Sequence, residues 1–189
     1  MPCGRVVLGV PVLVALLLTS SFAGPVALFP RTNELASPDG RLIVRNVTPD
    51  APAAEFVGSF HSLWLTEPST GLSRKLCDYV GIAAVAWSGD DFLVITEYLG
   101  KRTSRVLLFD VSQAEHSAVL DLPTLIRLIP VQFRDGLRQN DHVFIEASEI
   151  VTENLKLRVW GYGQHDPNGF SWRCEYTLGH DAVSCHEPK

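Results

Sequence analysis

Residues 156–162 carry side chains suited to binding at every second position. Leu157 and Val159 alternate there with cations and aromatic rings. Successive side chains of a β-strand point to opposite faces of a sheet, so an aliphatic core face leaves the rings on the other side. Aromatic residues and arginine dominate binding hot spots, and ring faces also stack on sugars. We therefore predict a binding site formed by Arg158, Trp160 and Tyr162 and extended by the loop around His165. The alternative is that both faces of the strand are buried between layers.

The cysteines near the C-terminus are placed for a cross-strand disulfide. Gly179 and His180 lie midway between Cys174 and Cys185, so a hairpin that turns there brings the two cysteines opposite each other. Directly opposed residues have the Cα separation that a disulfide requires. Two alternatives remain open, namely that both thiols are reduced or that Cys77 bridges to one of them. If Cys174 and Cys185 are paired, Cys77 is expected to be a buried, small hydrophobic residue.

The sequence contains few signatures of a metal site, a cofactor site or a catalytic nucleophile. None of the six histidines has the spacing typical of a zinc site, and no glycine-rich phosphate loop occurs. Residues 169–173 begin like a nucleophile elbow but lack its second glycine. Carboxylates near Glu146 are candidates for glycoside hydrolysis if they form a pair, although solvated charge is the simpler interpretation. We predict no metal, no cofactor and no catalytic site.

The segments that position these residues have mostly the pattern of short strands. Apolar and aromatic residues, punctuated by turn residues, predict strands at 41–47, 62–66, 82–87, 92–98, 105–111, 142–147, 155–162 and 170–177. Helical spacing of leucine and isoleucine predicts one short helix at 121–129, with Asp121 as its cap and Pro130 as its end. Residues 24–36 are interpreted as an irregular lead-in. The expected fold is a single all-β domain of antiparallel sheets, propeller-like or sandwich-like, with one short helix.

A turn sequence recurs along the domain. It begins at residues 37, 88 and 139, each followed by a strand and then by a second strand. Such a period is typical of stacked supersecondary units. The domain at 37–189 is therefore divided, as a hypothesis, into units at 37–87, 88–138 and 139–189.

Part of this pattern resembles a known family. Residues 63–66, 69–76 and 85–91 are similar to the blades of WD40-like, TolB-type β-propellers, in which a strand and a Thr-Gly turn lead to a Trp-Ser-Pro-Asp-Gly turn. Ser37-Pro38-Asp39-Gly40 looks like the same turn, and Asp110 like the closing aspartate of a blade. The likeness covers about residues 37–112. It implies a role in binding and scaffolding, and it carries over no site.

The N-terminus predicts export. Residues 1–23 combine one basic residue, a short apolar run and the small residues Ser21 and Ala23, which is the pattern of a signal peptide cleaved after Ala23. The apolar run is too short for a membrane span, and none is expected after cleavage. A formal net charge of −5, without a long basic run, argues against a nucleic-acid partner.

Together these patterns predict a periplasmic or secreted, non-enzymatic binding or scaffold protein with a protein or glycan partner. The alternative is a small secreted carbohydrate-active hydrolase that uses carboxylates near Glu146 and aromatics near Trp160.

Overall fold

The computed structural model describes residues 25–48, 60–113, 117–151, 154–180 and 182–187. The predicted signal peptide at 1–23 lies outside the described residues. Most of the described chain is β-structure, which confirms the all-β prediction. The strands are β1 (Ala27–Phe29), β2 (Glu34–Ala36), β3 (Ile43–Val47), β4 (Phe60–Glu67), β5 (Leu72–Val80), β6 (Ala83–Ser88), β7 (Phe92–Leu99), β8 (Thr103–Asp110), β9 (Ala118–Leu120), β10 (His142–Val151), β11 (Asn154–Tyr162), β12 (Phe170–Thr177) and β13 (Val183–His186). The helices are α1 (Leu122–Leu128) and α2 (Val131–Gln139).

The strands form two sheets in a sandwich-like arrangement. The smaller sheet has the order β2-β3-β4-β5 and is antiparallel throughout. The larger sheet has the order β1-β6-β7-β8-β10-β11-β12-β13, with β9 also paired to β8. In it the β8–β10 pair is parallel and the other described pairs are antiparallel. The chain thus runs through three consecutive antiparallel meanders, β2–β5, β6–β9 and β10–β13.

Two hydrophobic cores lie on opposite faces of the large sheet at its central strands β7 and β8. One core contains residues of the small sheet together with Leu93 and Leu107. The other contains residues of α1, α2 and β10–β13 together with Val94 and Val106. Strands β7 and β8 therefore contribute alternate side chains to both cores, whereas β11 contributes to only one.

The helical region is longer than predicted. The helix at 121–129 is confirmed, because Asp121 accepts a hydrogen bond from the Thr124 backbone N–H at 2.9 Å and caps α1. The prediction of a single helix is wrong, since Pro130 is the N-cap of α2 as well as the residue that stops α1. Proline fits at this position because the first N–H groups of a helix have no intrahelical partner. Among the described residues, neither helix is long and apolar enough to cross a membrane.

The predicted irregular lead-in contains two strands, which corrects that interpretation. Strand β1 pairs with β6 and buries Phe29 completely, while β2 pairs with β3. Each strand has three residues, too few to show an alternating pattern. The pairing of β1 therefore depends on the distant strand β6, whereas β2 forms a hairpin with the next strand along the chain.

The recurring turns occupy related places in the first two meanders. The strand after each of the three turns pairs antiparallel with the next strand along the chain, as β3–β4, β7–β8 and β10–β11. The first two turns also touch, since the Asp39 backbone N–H donates a hydrogen bond to the Asp90 carboxylate at 3.0 Å. The third turn differs because it follows α2 and precedes the first strand of its meander. The division into three repeat units stays a prediction.

Candidate functional site

Strand β11 separates a core face from an outer face. Leu155, Leu157 and Val159 are at most 3% exposed and belong to the core shared with the helices. Arg158 and Tyr162 are exposed on the other side, and Trp160 is half-buried there. The three predicted site residues of the strand therefore share one accessible face, as their alternation predicts. The alternative in which both faces are buried between layers is wrong for this strand.

The register between β10 and β11 places these side chains in pairs. His142 lies opposite Tyr162, with parallel rings whose centroids are 4.3 Å apart. Phe144 lies opposite Trp160, and their ring centroids are 4.4 Å apart. We call the four rings of His142, Tyr162, Phe144 and Trp160 the aromatic ladder. Cross-strand aromatic pairs also stabilise a sheet, by about 0.2–1 kcal/mol each.

The two outward rings of β11 differ in accessibility. Tyr162 is 43% exposed and lies one position beyond the last residue of β11 that pairs with β12, which is Gly161. Trp160 is enclosed by Phe144 and by the Arg158 guanidinium, whose carbon lies 5.6 Å from the ring centroid. In the part of the chain that the structure describes, the Trp160 indole nitrogen has no hydrogen-bond partner. Tyr162 is therefore the more solvent-accessible of the two rings.

Positive charge continues from the ladder across the sheet. Arg158 lies opposite Arg173 of β12, and Arg173 lies opposite His186 of β13. All three residues are exposed. We call Arg158 and Arg173 the cationic row, which leads across the sheet towards His186. Arg158 contacts Glu146 at 3.9 Å and donates a hydrogen bond to the Ser171 hydroxyl at 3.3 Å, whereas no described residue forms an ion pair with Arg173.

Hydrogen bonds between Asn140 and Asp166 fix the loop that carries His165. The Asn140 side chain donates a hydrogen bond to the Asp166 carboxylate at 2.7 Å and accepts one from the Asp166 backbone N–H at 3.0 Å. A side chain at Gly163 would overlap the Asp141 backbone nitrogen, so the loop also needs a glycine there. His165 itself is exposed on this loop, outside the strand that carries the ladder residues Trp160 and Tyr162. The structure therefore groups Arg158, Trp160 and Tyr162 but leaves His165 beside them.

Four residues of this surface are missing from the sequence-based prediction, namely His142, Phe144, Arg173 and His186. His142 alternates with the buried Val143 and Ile145, so the period-2 argument applied to β11 would also have placed it outward on β10. The hairpin register that pairs the cysteines also pairs Arg173 with His186. Both signals were present in the sequence, and neither was used for the site.

The carboxylates of β10 are each tied to neighbouring groups. Glu146 accepts a hydrogen bond from the Tyr98 hydroxyl at 3.0 Å and contacts Arg158, and Glu149 forms an ion pair with Lys156 at 2.7 Å. Burial and the nearby Glu146 charge raise the pKa of Tyr98 to about 12, so its hydroxyl is a stable donor. These contacts give Glu146 a structural role and add no support to the hydrolase alternative. Among the described residues, no cluster of three or more His, Cys, Asp or Glu is arranged to hold a metal ion.

The predicted disulfide is confirmed. Cys174 and Cys185 are bonded, with their Cα atoms 4.1 Å apart, and Tyr176 lies opposite Val183 as the hairpin predicts. The bond ties the edge strand β13, which carries His186, to β12, which carries Arg173. Cys77 is free and partly buried, and burial raises the pKa of its thiol to about 12. The competing bridge through Cys77 is therefore wrong.

Comparisons with protein-family models, with curated proteins and with solved structures found no match to this chain. The chemistry of the outer face itself therefore carries the functional proposal.

Proposed function

We propose that this chain is a non-enzymatic, extracytoplasmic binding protein whose ligand lies on the outer face of β10–β12. The observation that carries the proposal is the exposed Tyr162 ring, stacked on His142 and followed on the same face by Trp160 and two arginines. Tyrosine, tryptophan and arginine are the residues that most often dominate binding energy. Their grouping on one face of one meander supports a ligand site rather than scattered surface residues.

The rigidity of this face supports the same function. The strands beneath it are held by a core on their other side and by the disulfide at the sheet edge. The aromatic ladder is already stacked, so little side-chain freedom remains to be lost on binding. Preorganised surfaces gain affinity because that entropic cost is reduced.

An extracytoplasmic location is supported by two independent features. The disulfide is compatible with an oxidising compartment, where such bonds persist. The signal-peptide pattern at 1–23 predicts export to that compartment.

We also propose that the meanders are related to propeller blades. A blade is a four-stranded antiparallel sheet, and β2–β5, β6–β9 and β10–β13 each have four strands in that order. In this interpretation the outer face of the third meander is the binding surface of a scaffold.

The test is a comparison of ligand capture by three forms of the exported protein. The native protein, Tyr162→Ala and Leu72→Ala are each immobilised and exposed to the producing cell's own envelope and medium fractions. Leu72 is the control because it is 69% exposed on β5, in the other sheet. We expect a ligand that native protein and Leu72→Ala retain and that Tyr162→Ala loses. Equal retention by all three forms would place the site elsewhere.

A further inference from the structure

We infer that the ligand of this face is an acidic polysaccharide, with its carboxylate or sulfate groups on the cationic row and a sugar ring against Tyr162. The inference rests on the proposed function and names the chemistry of its ligand. It follows from the placement of the charges, from the direction of the ladder and from the small apolar area of the face.

The two arginines of the row are direct cross-strand neighbours. Arg158 and Arg173 lie directly opposite each other on neighbouring strands, and like charges in that position are destabilising. On its other side Arg158 lies opposite Glu146 of β10, at 3.9 Å, and it donates a hydrogen bond to Ser171, whereas Arg173 has no acidic partner among the described residues. Lys156, on the same face of β11, is paired with Glu149 at 2.7 Å. An anion bound between the two arginines removes their repulsion.

The two outward rings and Arg158 follow one line along β11, and the cationic row crosses that line at Arg158. Tyr162, Trp160 and Arg158 occupy successive outward positions, so Tyr162 and Arg158 are about 13 Å apart along the strand. The row then leads across β12 towards His186 of β13. A ligand that uses both ends must be extended and must offer a ring face as well as a negative charge. A polysaccharide of acidic sugars has both features in every repeat.

The ladder presents little apolar side-chain surface, which favours a narrow ligand over a protein partner. Phe144 is only 8% exposed and Trp160 is half-buried, which leaves Tyr162 as the single large apolar side chain of the ladder that is open to solvent. A standard protein interface covers about 800 Å² on each partner, with an apolar centre. A narrow chain that stacks on one ring and pairs with two arginines needs no such centre.

The decisive probe is a matched pair of polymers. The exported protein with its disulfide intact is titrated calorimetrically with polygalacturonate and with its methyl ester, which keeps the sugar rings but removes the charge. Dextran sulfate and dextran form a second pair that replaces carboxylate by sulfate. We expect binding to at least one charged polymer, weakening with salt, and little or none to its neutral match. Binding of the neutral polymer as tight as that of its charged match would overturn the inference.

The variants separate this inference from the proposed function. Arg158→Gln and Arg173→Gln should each weaken binding about tenfold or more, the loss expected for a charge-assisted hydrogen bond. Arg31→Gln, an exposed arginine near the N-terminal strands, is the matched control and should bind like the native protein. If Tyr162→Ala abolishes ligand capture while both arginine variants bind normally, the charge inference fails and the proposed function stands. If Tyr162→Ala and the arginine variants all bind normally, both fail.

Two further polyanions test whether the sugar matters. Poly-L-glutamate stands for an acidic protein segment, and a single-stranded oligothymidylate stands for a nucleic acid. We expect both to bind more weakly than the acidic polysaccharide, because poly-L-glutamate has no sugar ring and the oligothymidylate has no pyranose ring that carries the acidic group. Equal or tighter binding of either one would overturn the inference.

Discussion

Strands β7 and β11 both run through the large sheet, but they are covered differently. Leu93, Val94 and Ile95 of β7 are consecutive and all buried, because one core lies on each side of the strand. Strand β11 has a core on one side only, and its residues alternate between buried aliphatic and outward aromatic or charged side chains. A strand between two layers uses every position for packing. A strand with one covered face can present a site on the other.

The largest loss of stability that tests this comparison is expected from a substitution on the core face of β11. Leu157→Ala removes a side chain that is 3% exposed and should destabilise the protein by about 2–5 kcal/mol, as cavity formation in a core does. Arg158→Ala, one position along, should cost less than about 1 kcal/mol, because its side chain is exposed. Urea unfolding of both variants measures the contrast. Similar losses would mean that both faces of β11 are covered, as both faces of β7 are.

The next largest loss of stability is expected from removal of the disulfide that joins the edge strand β13 to β12. Replacing Cys174 and Cys185 together by alanine opens a short loop and should lower stability by about 3 kcal/mol in the chain-entropy account. Cys77→Ala is the control, because this free, partly buried thiol closes no loop. Thermal unfolding under non-reducing conditions compares the two. A double variant as stable as the native protein would show that packing alone fixes β13.

Trp160 should give a smaller loss than a core tryptophan. It is half-buried and stacked on Phe144, so Trp160→Ala removes a cross-strand ring pair but no closed-core volume. We expect a loss of about 1–2 kcal/mol, against about 3–5 kcal/mol for a fully buried tryptophan. Chemical unfolding decides between the two ranges. A loss in the higher range would assign Trp160 to the core and leave Tyr162 as the ring that remains for binding.

The smallest loss of stability is expected from the hydrogen bond between Tyr98 of β7 and Glu146 of β10. Tyr98→Phe removes the hydrogen bond to Glu146 and should cost about 1 kcal/mol at neutral pH. The folded protein raises the pKa of Tyr98 from 10.0 to about 12, mainly through burial. The neutral hydroxyl therefore adds stability that is complete below pH 10 and is lost as the pH rises toward 12. Tyr98→Phe should remove this part of the alkaline loss in unfolding measured between pH 9 and 12. An unchanged pH profile would show that Tyr98 titrates normally.

Several features of the fold follow from local sequence alone. The pairing of Cys174 with Cys185 follows from a turn midway between them, because the register of a short hairpin is set by its turn. Helix α1 follows from leucine spacing with Asp121 before it and Pro130 after it. The outward direction of Arg158, Trp160 and Tyr162 follows from the two-residue period of a strand.

Other features were decided by tertiary structure. The three-residue strand β1 exists because β6 offers it a partner, and α2 forms where Gly136 permits close approach of the Trp172 ring. The parallel junction of β8 with β10 joins two meanders that are separated in the chain by both helices. This junction and the helices place a core against one face of β11 and leave the other face open. Local periodicity determines which residues share a face, but only the packing of distant segments determines which face is covered.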